Sequence, residues 1–144
     1  MIRSEHEYRA ALSRYRQERE EAERRREALL THGLATDQIE AAMQPVVTFH
    51  AQLGEELTWY EGVRRGDIAP VRRLADLGRL LIALRIASGL SQKQLAHRLH
   101  VSEAAVSRDE RNEYHGITLE RAQRVLDALG ASIAATVESI AGRA

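Results

Sequence analysis

The chain has 144 residues, 21 Lys+Arg balanced by 21 Asp+Glu, 44% hydrophobic residues, one Phe, one Trp and no Cys. The missing cysteine excludes disulfides, thiolate catalysis and cysteine-based zinc sites. So few aromatic residues argue against a β-sandwich, and no apolar run approaches the ~18 residues of a membrane span.

The N-terminus is charged from Arg3 onward, so no signal peptide and a cytoplasmic location are expected. The length suits one compact domain, or a small domain with an appended element. Divided after Gly66, residues 1–66 hold 10 Arg against 12 Asp+Glu, and residues 67–144 hold 11 Lys+Arg against 9 Asp+Glu. A difference of −2 against +2 is weak. Affinity for a polyanion must therefore come from where individual arginines stand.

From about Glu5 to Leu30 a polar segment without proline or glycine predicts the first helix. Tyr8, Leu12, Tyr15, Ala22 and Leu29 form a heptad-like stripe, interrupted by Arg19 and Arg26. Between Glu18 and Glu27 glutamates are interspersed with arginines, as on a solvated helix face with local ion pairs. His32-Gly33 ends the segment, and Asp37-Gln38-Ile39-Glu40 predicts a capping box for a second helix. That helix has a regular seam: Ile39, Met43, Val46, His50, Leu53, Leu57 and Tyr60, in steps of four and three. Pro45 removes one backbone bond and is expected to kink it. Residues 1–66 thus read as an antiparallel helical hairpin for packing, dimerisation or partner binding.

Gly62 to Pro70 is a linker into the second unit, residues 67–144. A third helix is expected from about Val71 to Ala87, with Leu77, Leu81 and Leu84 on one face and Val71, Ala75, Ile82 and Ile86 on the opposite one. A helix apolar on both sides must be covered on both. Towards the end, Thr118 caps a helix over Leu119–Leu129, stopped by Gly130. Residues 131–138 alternate with period two through Ile133, Ala135 and Val137. They read either as a short C-terminal strand paired with another copy or partner, or as a frayed continuation of the helix.

Between these elements lies the most informative stretch. Ser91-Gln92-Lys93-Gln94 is a capping box, so a helix starts at Gln92. Leu95 and Leu99 point inward, Ala96 is small where helices cross, and Val101 is expected to tuck under a tight turn. Ser102 then caps a second short helix anchored by Val106. Its outward positions are Glu103, Ala104, Ser107, Arg108 and Arg111. Such a helix fits the DNA major groove, which accepts one helix whose N-terminal side chains reach base edges. Ala104 and Ser107 let the backbone approach, and Arg108 suits bidentate contact to guanine. Glu103 either accepts from a cytosine amine or serves the helix dipole. Gln92 either binds a phosphate or braces the reading helix, and Arg98 is read as a phosphate contact.

Residues ~74–130 resemble the lambda-repressor-like helix-turn-helix family, also called the Cro or xenobiotic-response-element group. The resemblance runs through Arg85, Gly89-Leu90-Ser91-Gln92, Leu95-Ala96, Val101-Ser102, Val106-Ser107-Arg108, Glu110 and Leu126-Ala128-Leu129-Gly130. It implies base reading by Gln92, Ser102, Glu103, Ala104, Ser107 and Arg108, and a partly buried ion pair between Arg85 and Glu110. Three departures stand out: His100 and Asn112 where glycines are usual, and Asp109 where an apolar residue is usual. Tyr114 and His115 either contact phosphates or fill the space that Asp109 leaves. Glu7-Tyr8-Arg9-Ala10-Ala11-Leu12 and Tyr60-Glu61 more distantly resemble the segment preceding the motif in HigA-like antitoxins.

The expected fold is therefore all-α: a helical hairpin, a lambda-repressor-like helix-turn-helix domain and, in one reading, a short C-terminal strand. His97 and His100 find no third ligand, so no metal is expected, and no pattern points to a cofactor or to catalysis. The expected partners are double-stranded DNA and a second copy of the chain, as a repressor on a palindromic operator. The alternative is an antitoxin that binds a toxin through the hairpin and represses its own operon.

Overall fold

The structure, a computed structural model, describes residues 1–141, so the end of the 67–144 unit lies outside the described residues. Among the described residues it is all-α. The order is α1 (Glu5–Thr31), α2 (Thr36–Arg64), a single 3-10 turn (Leu74–Asp76), α3 (Leu77–Ala87), α4 (Gln92–Leu99), α5 (Glu103–Arg111) and α6 (Leu119–Leu129). No described helix is long and apolar enough to cross a membrane.

Both hairpin helices start where side chains can satisfy their free N–H groups. The Ser4 hydroxyl accepts from the Glu7 N–H at 3.1 Å, with Glu5 and Glu7 in the first turn where the helix dipole favours acids. α2 starts earlier than expected. Its cap is Ala35, whose N–H donates to Gln38 Oε1 at 3.0 Å, so Asp37 falls inside the first turn. Gln38 supplies the reach-back bond, and that places the cap three residues before it.

The two helices run antiparallel, held by aromatic contacts along the seam. Tyr8 stacks on Tyr60 with centroids 5.1 Å apart, and Tyr15 on His50 at 3.9 Å. Gly54 makes the second contact possible, because a Cβ there would stand 3.2 Å from the Tyr15 ring. The Arg14 guanidinium covers Phe49 at 4.9 Å. Ile39, Met43, Leu57, Tyr60 and Val63 of α2 are buried, whereas α1 buries no residue fully. α2 is the inner helix and α1 the outer one.

Arg64, rather than Gly62, ends α2, and the third helix is shorter than its periodicity suggested. Arg73 is extended and pairs with Asp76 through two hydrogen bonds of 3.1 Å, so α3 begins only at Leu77. Val71 and Ala75 are consequently exposed and belong to no covered face. Within α3 itself, Leu81, Ile82, Ala83 and Ile86 are buried, and the helix packs against both α2 and α6. One continuous core joins Ile2, Leu57, Tyr60 and Val63 to Leu81, Ile82, Leu95, Val106, Val125, Leu126 and Leu129. It crosses the chain position at residue 66 without interruption.

Neither reading of the segment after α6 describes what is seen. Gly130 is left-handed (φ 67°) and stops the helix, and residues 131–140 form neither helix nor strand. The backbone groups of a lone strand find no ladder partner within one copy of the chain. Ile133 and Val137 stand exposed.

The loop after α5 carries the tightest backbone approach. Glu113 and Tyr114 both have positive φ (49° and 53°), whereas Asn112, which stands where a glycine is usual, has φ −91°. They bring the Glu113 carbonyl onto Gly78, where an added Cβ would lie 1.8 Å from that oxygen. Gly78→Ala is therefore expected to destabilise the fold by about 3 kcal/mol through overpacking, measured as a lowered urea midpoint with unchanged m.

Candidate nucleic-acid interface

The α4–turn–α5 unit is assembled by local bonds that the sequence specifies. The Ser91 hydroxyl accepts from the Gln94 N–H at 3.1 Å, while Gln94 Oε1 accepts from the Ser91 N–H at 2.8 Å. Leu95 and Ala96 seat α4 in the core. His100 takes the left-handed conformation (φ 56°, ψ 40°) that glycine would adopt more freely. The Val101 N–H then bonds the Ala96 carbonyl at 3.0 Å. Val101 is 45% exposed rather than tucked under the turn, because the turn uses its N–H and leaves the side chain in solvent. Ser102 caps α5 by accepting from the Ala105 N–H at 3.1 Å.

Two residues fix α5 inward: Val106 and Glu110, each 1% exposed. Glu110 meets Arg85, itself 2% exposed, through Nε–Oε1 at 2.5 Å and Nη2–Oε2 at 2.7 Å. Buried charges persist when their remaining donors and acceptors are also satisfied. Here Arg85 Nη1 donates to the Leu90 carbonyl at 2.7 Å and Nη2 to the Arg3 carbonyl at 2.7 Å. Gln92 Nε2 donates to Glu110 Oε2 at 2.7 Å, so the side chain of Gln92 braces the pair.

On the other side of α5, Ala104, Arg108 and Arg111 are exposed, Ser102 and Glu103 are exposed at its start, and Ser107 is half-buried. With half-buried Gln92 they make one face across the starts of α4 and α5. Among the described residues no acidic group lies within ion-pair distance of Arg108 or Arg111, whereas other nearby arginines are engaged. Arg121 of α6 pairs with Asp109, which explains how a carboxylate replaces an apolar residue at the end of α5. Arg98 donates to the Ala128 carbonyl at 2.8 Å and so closes the C-terminal end of α6 onto α4. Neither bond has a local sequence signal, since the partners lie 12 and 30 residues apart. Tyr114 is buried at 5% exposure, which takes it out of reach of a phosphate backbone. Burial, then the Glu110 and Asp109 charges, hold its hydroxyl well above the usual tyrosine range. His115 remains exposed.

A helix-turn-helix family model matches residues 81–135, rather more than a third of the chain, and spans α4, the turn, α5 and α6. The segment is a helix-turn-helix domain of the lambda-repressor-like family. This is the fold of DNA-binding transcriptional regulators. No curated protein and no solved structure matches the chain.

The buried pair gives a test of what holds the domain. Glu110→Ala strands the Arg85 charge and is expected to cost about 3–5 kcal/mol, read from urea unfolding. Arg85→Met combined with Glu110→Leu should recover much of that loss, because no isolated charge remains buried.

Proposed function

We propose that the chain is a sequence-specific, non-enzymatic DNA-binding regulator that acts as a homodimer and represses transcription from a palindromic operator. The observation that carries this reading is the sidedness of α5. Val106 and Glu110 lock one side into the core, while Ala104, Arg108 and Arg111 lie on the other, with Ser107 on the flank and Glu103 exposed at the first turn. Small residues near the start of the helix permit close approach to base edges, and two unpaired arginines near its end offer contacts to guanine or phosphate.

In this assignment Ala104 and Ser107 face base edges and Arg108 takes guanine. Ser102 and Glu103 stand at the groove edge, and Arg111 meets the backbone. Gln92 contributes through its brace on Glu110. Two such helices, related by a two-fold axis about 34 Å apart, would read successive half-sites on one side of the duplex. The zero net charge supports a local mode of binding, in which few phosphates are neutralised and the salt dependence is correspondingly modest.

A second reading, an antitoxin that holds a partner protein, is favoured by the distal part of the hairpin. Leu30, Val47 and Phe49 are each about half exposed there, and a cleft of about 460 Å³ is lined by Ala22, Pro45, Val46 and Phe49 together with the charged Glu18, Glu21 and Arg25. The two readings are compatible, since a repressor can carry a partner on a separate element.

Selection of bound sequences from a random duplex pool at fixed salt tests the main reading. A symmetric consensus is expected, and enrichment of no sequence would overturn the reading. On the selected site, Arg108→Ala should lose about 1–3 kcal/mol of discrimination at one position in each half-site. Equal losses on selected and scrambled duplexes would remove Arg108 from base reading.

A further inference from the structure

The N-terminal segment ahead of α1 is built into the support of the reading surface. Ile2 is 4% exposed and belongs to the same core cluster as Leu57, Tyr60 and Val63 of α2 and Ile86 of α3. The next residue is held from both ends of its backbone. The Arg3 N–H donates to Glu7 Oε2 at 2.7 Å, and its carbonyl accepts from Arg85 Nη2 at 2.7 Å. The same Nη2 donates to Glu110 Oε2, which also accepts from Gln92. A chain of hydrogen bonds therefore runs from Arg3 through Arg85 and Glu110 to Gln92, entering at the hairpin and leaving at the exposed face. Beside it opens a cleft of about 320 Å³, lined by Arg3, Arg85, Ser91, Gln92 and Glu103. The side chains at the starts of α4 and α5 thus have room to rearrange.

We infer that Ile2 and the Arg3 carbonyl are positioning elements for DNA recognition: their seating sets the orientation of Arg85, and through Glu110 the placement of Gln92 and α5. The inference rests on the DNA-binding reading above and names what holds that surface in register. Without the Arg3 carbonyl, one guanidinium N–H of a nearly buried arginine loses its acceptor and must find another. The alternatives at hand are the Glu110 carboxylate or water entering the cleft, and either reorients the pair on which Gln92 and α5 rest. Binding to the hairpin that lifts the segment would reach the DNA face by this route.

Ile2→Glu tests the inference, with Ile2→Ala as a milder variant that carries the test if the first does not fold. Arg3→Ala serves as the control that keeps the carbonyl. Kd is measured for the duplex selected from the random pool and for a scrambled duplex. The Arg85 Nε–Hε resonance is followed by hydrogen exchange, with amide protection of Val106 and Leu126 reporting the fold. In Ile2→Glu, Kd for the selected duplex should rise about tenfold, the effect of losing one hydrogen bond to a charged group. The scrambled duplex should change by less than about twofold, because phosphate contacts remain. Arg85 exchange should quicken while Val106 and Leu126 stay protected, and Arg3→Ala should match the wild type.

A folded Ile2 variant with wild-type Kd and unchanged Arg85 exchange overturns the inference. So does an Arg3→Ala loss as large as that of Ile2→Glu, which would move the effect to the side chain. If the wild-type protein binds no duplex, the functional reading falls. The Arg85 exchange still decides whether the segment holds the guanidinium.

Discussion

The buried contact between Arg85 and Glu110 joins parts of the chain that have little else in common. Arg85 lies on α3, which packs on both α2 and α6, and Glu110 lies on the inward side of α5. Two charges removed from water are tolerated only when their hydrogen-bonding capacity is almost fully used. That requirement draws in the Leu90 carbonyl at the approach to α4, the Gln92 side chain at its start, and the Arg3 carbonyl ahead of α1. Apolar packing alone would fix how deeply α5 sits. The fork of directed bonds also fixes its rotation, and rotation decides which side chains face outward.

Much of this arrangement was legible because its signals are local. The α2 seam from Ile39 to Tyr60, the capping box at Ser91–Gln94, the Ser102 cap and the Gly130 stop each depend on spacings of a few residues, and each element forms where those spacings place it. What could not be read depends on distant partners. Asp109 stood out as a carboxylate where an apolar residue is usual, and its partner Arg121 lies on another helix. Arg98 read as a phosphate contact, and its bond to the Ala128 carbonyl comes from a residue 30 positions away. The start of α3 was misplaced for a related reason. Arg73 and Asp76 hold each other across a 3-10 turn, and that contact outweighs helical periodicity over Val71–Ala75.

The candidate reading surface shows the same division. Most of the outward set on α5 followed from period, since a helix with Val106 and Glu110 inward presents Ala104, Arg108 and Arg111 away from the core and Ser107 on its flank. Glu103, seven residues before Glu110, is exposed at the first turn instead. The side chain of Gln92 was open between two uses, and only the position of Glu110 decides where it points. Tyr114 was open as well. Its burial follows from the left-handed backbone at Glu113 and Tyr114, which presses that loop against Gly78. Strain of this kind is supported by surrounding packing rather than announced by composition.

The unequal burial of the two hairpin helices has a consequence for motion. α2 is tied into the continuous core, while α1 lies along its outside with a half-buried stripe and exchanges few fully covered contacts. Cooperative units with the least buried apolar area open first, at free energies below that of global unfolding. The outer helix should therefore detach in a sub-global fluctuation that leaves α2 through α6 folded. Its amides would report a lower protection tier than those of its neighbour across the seam.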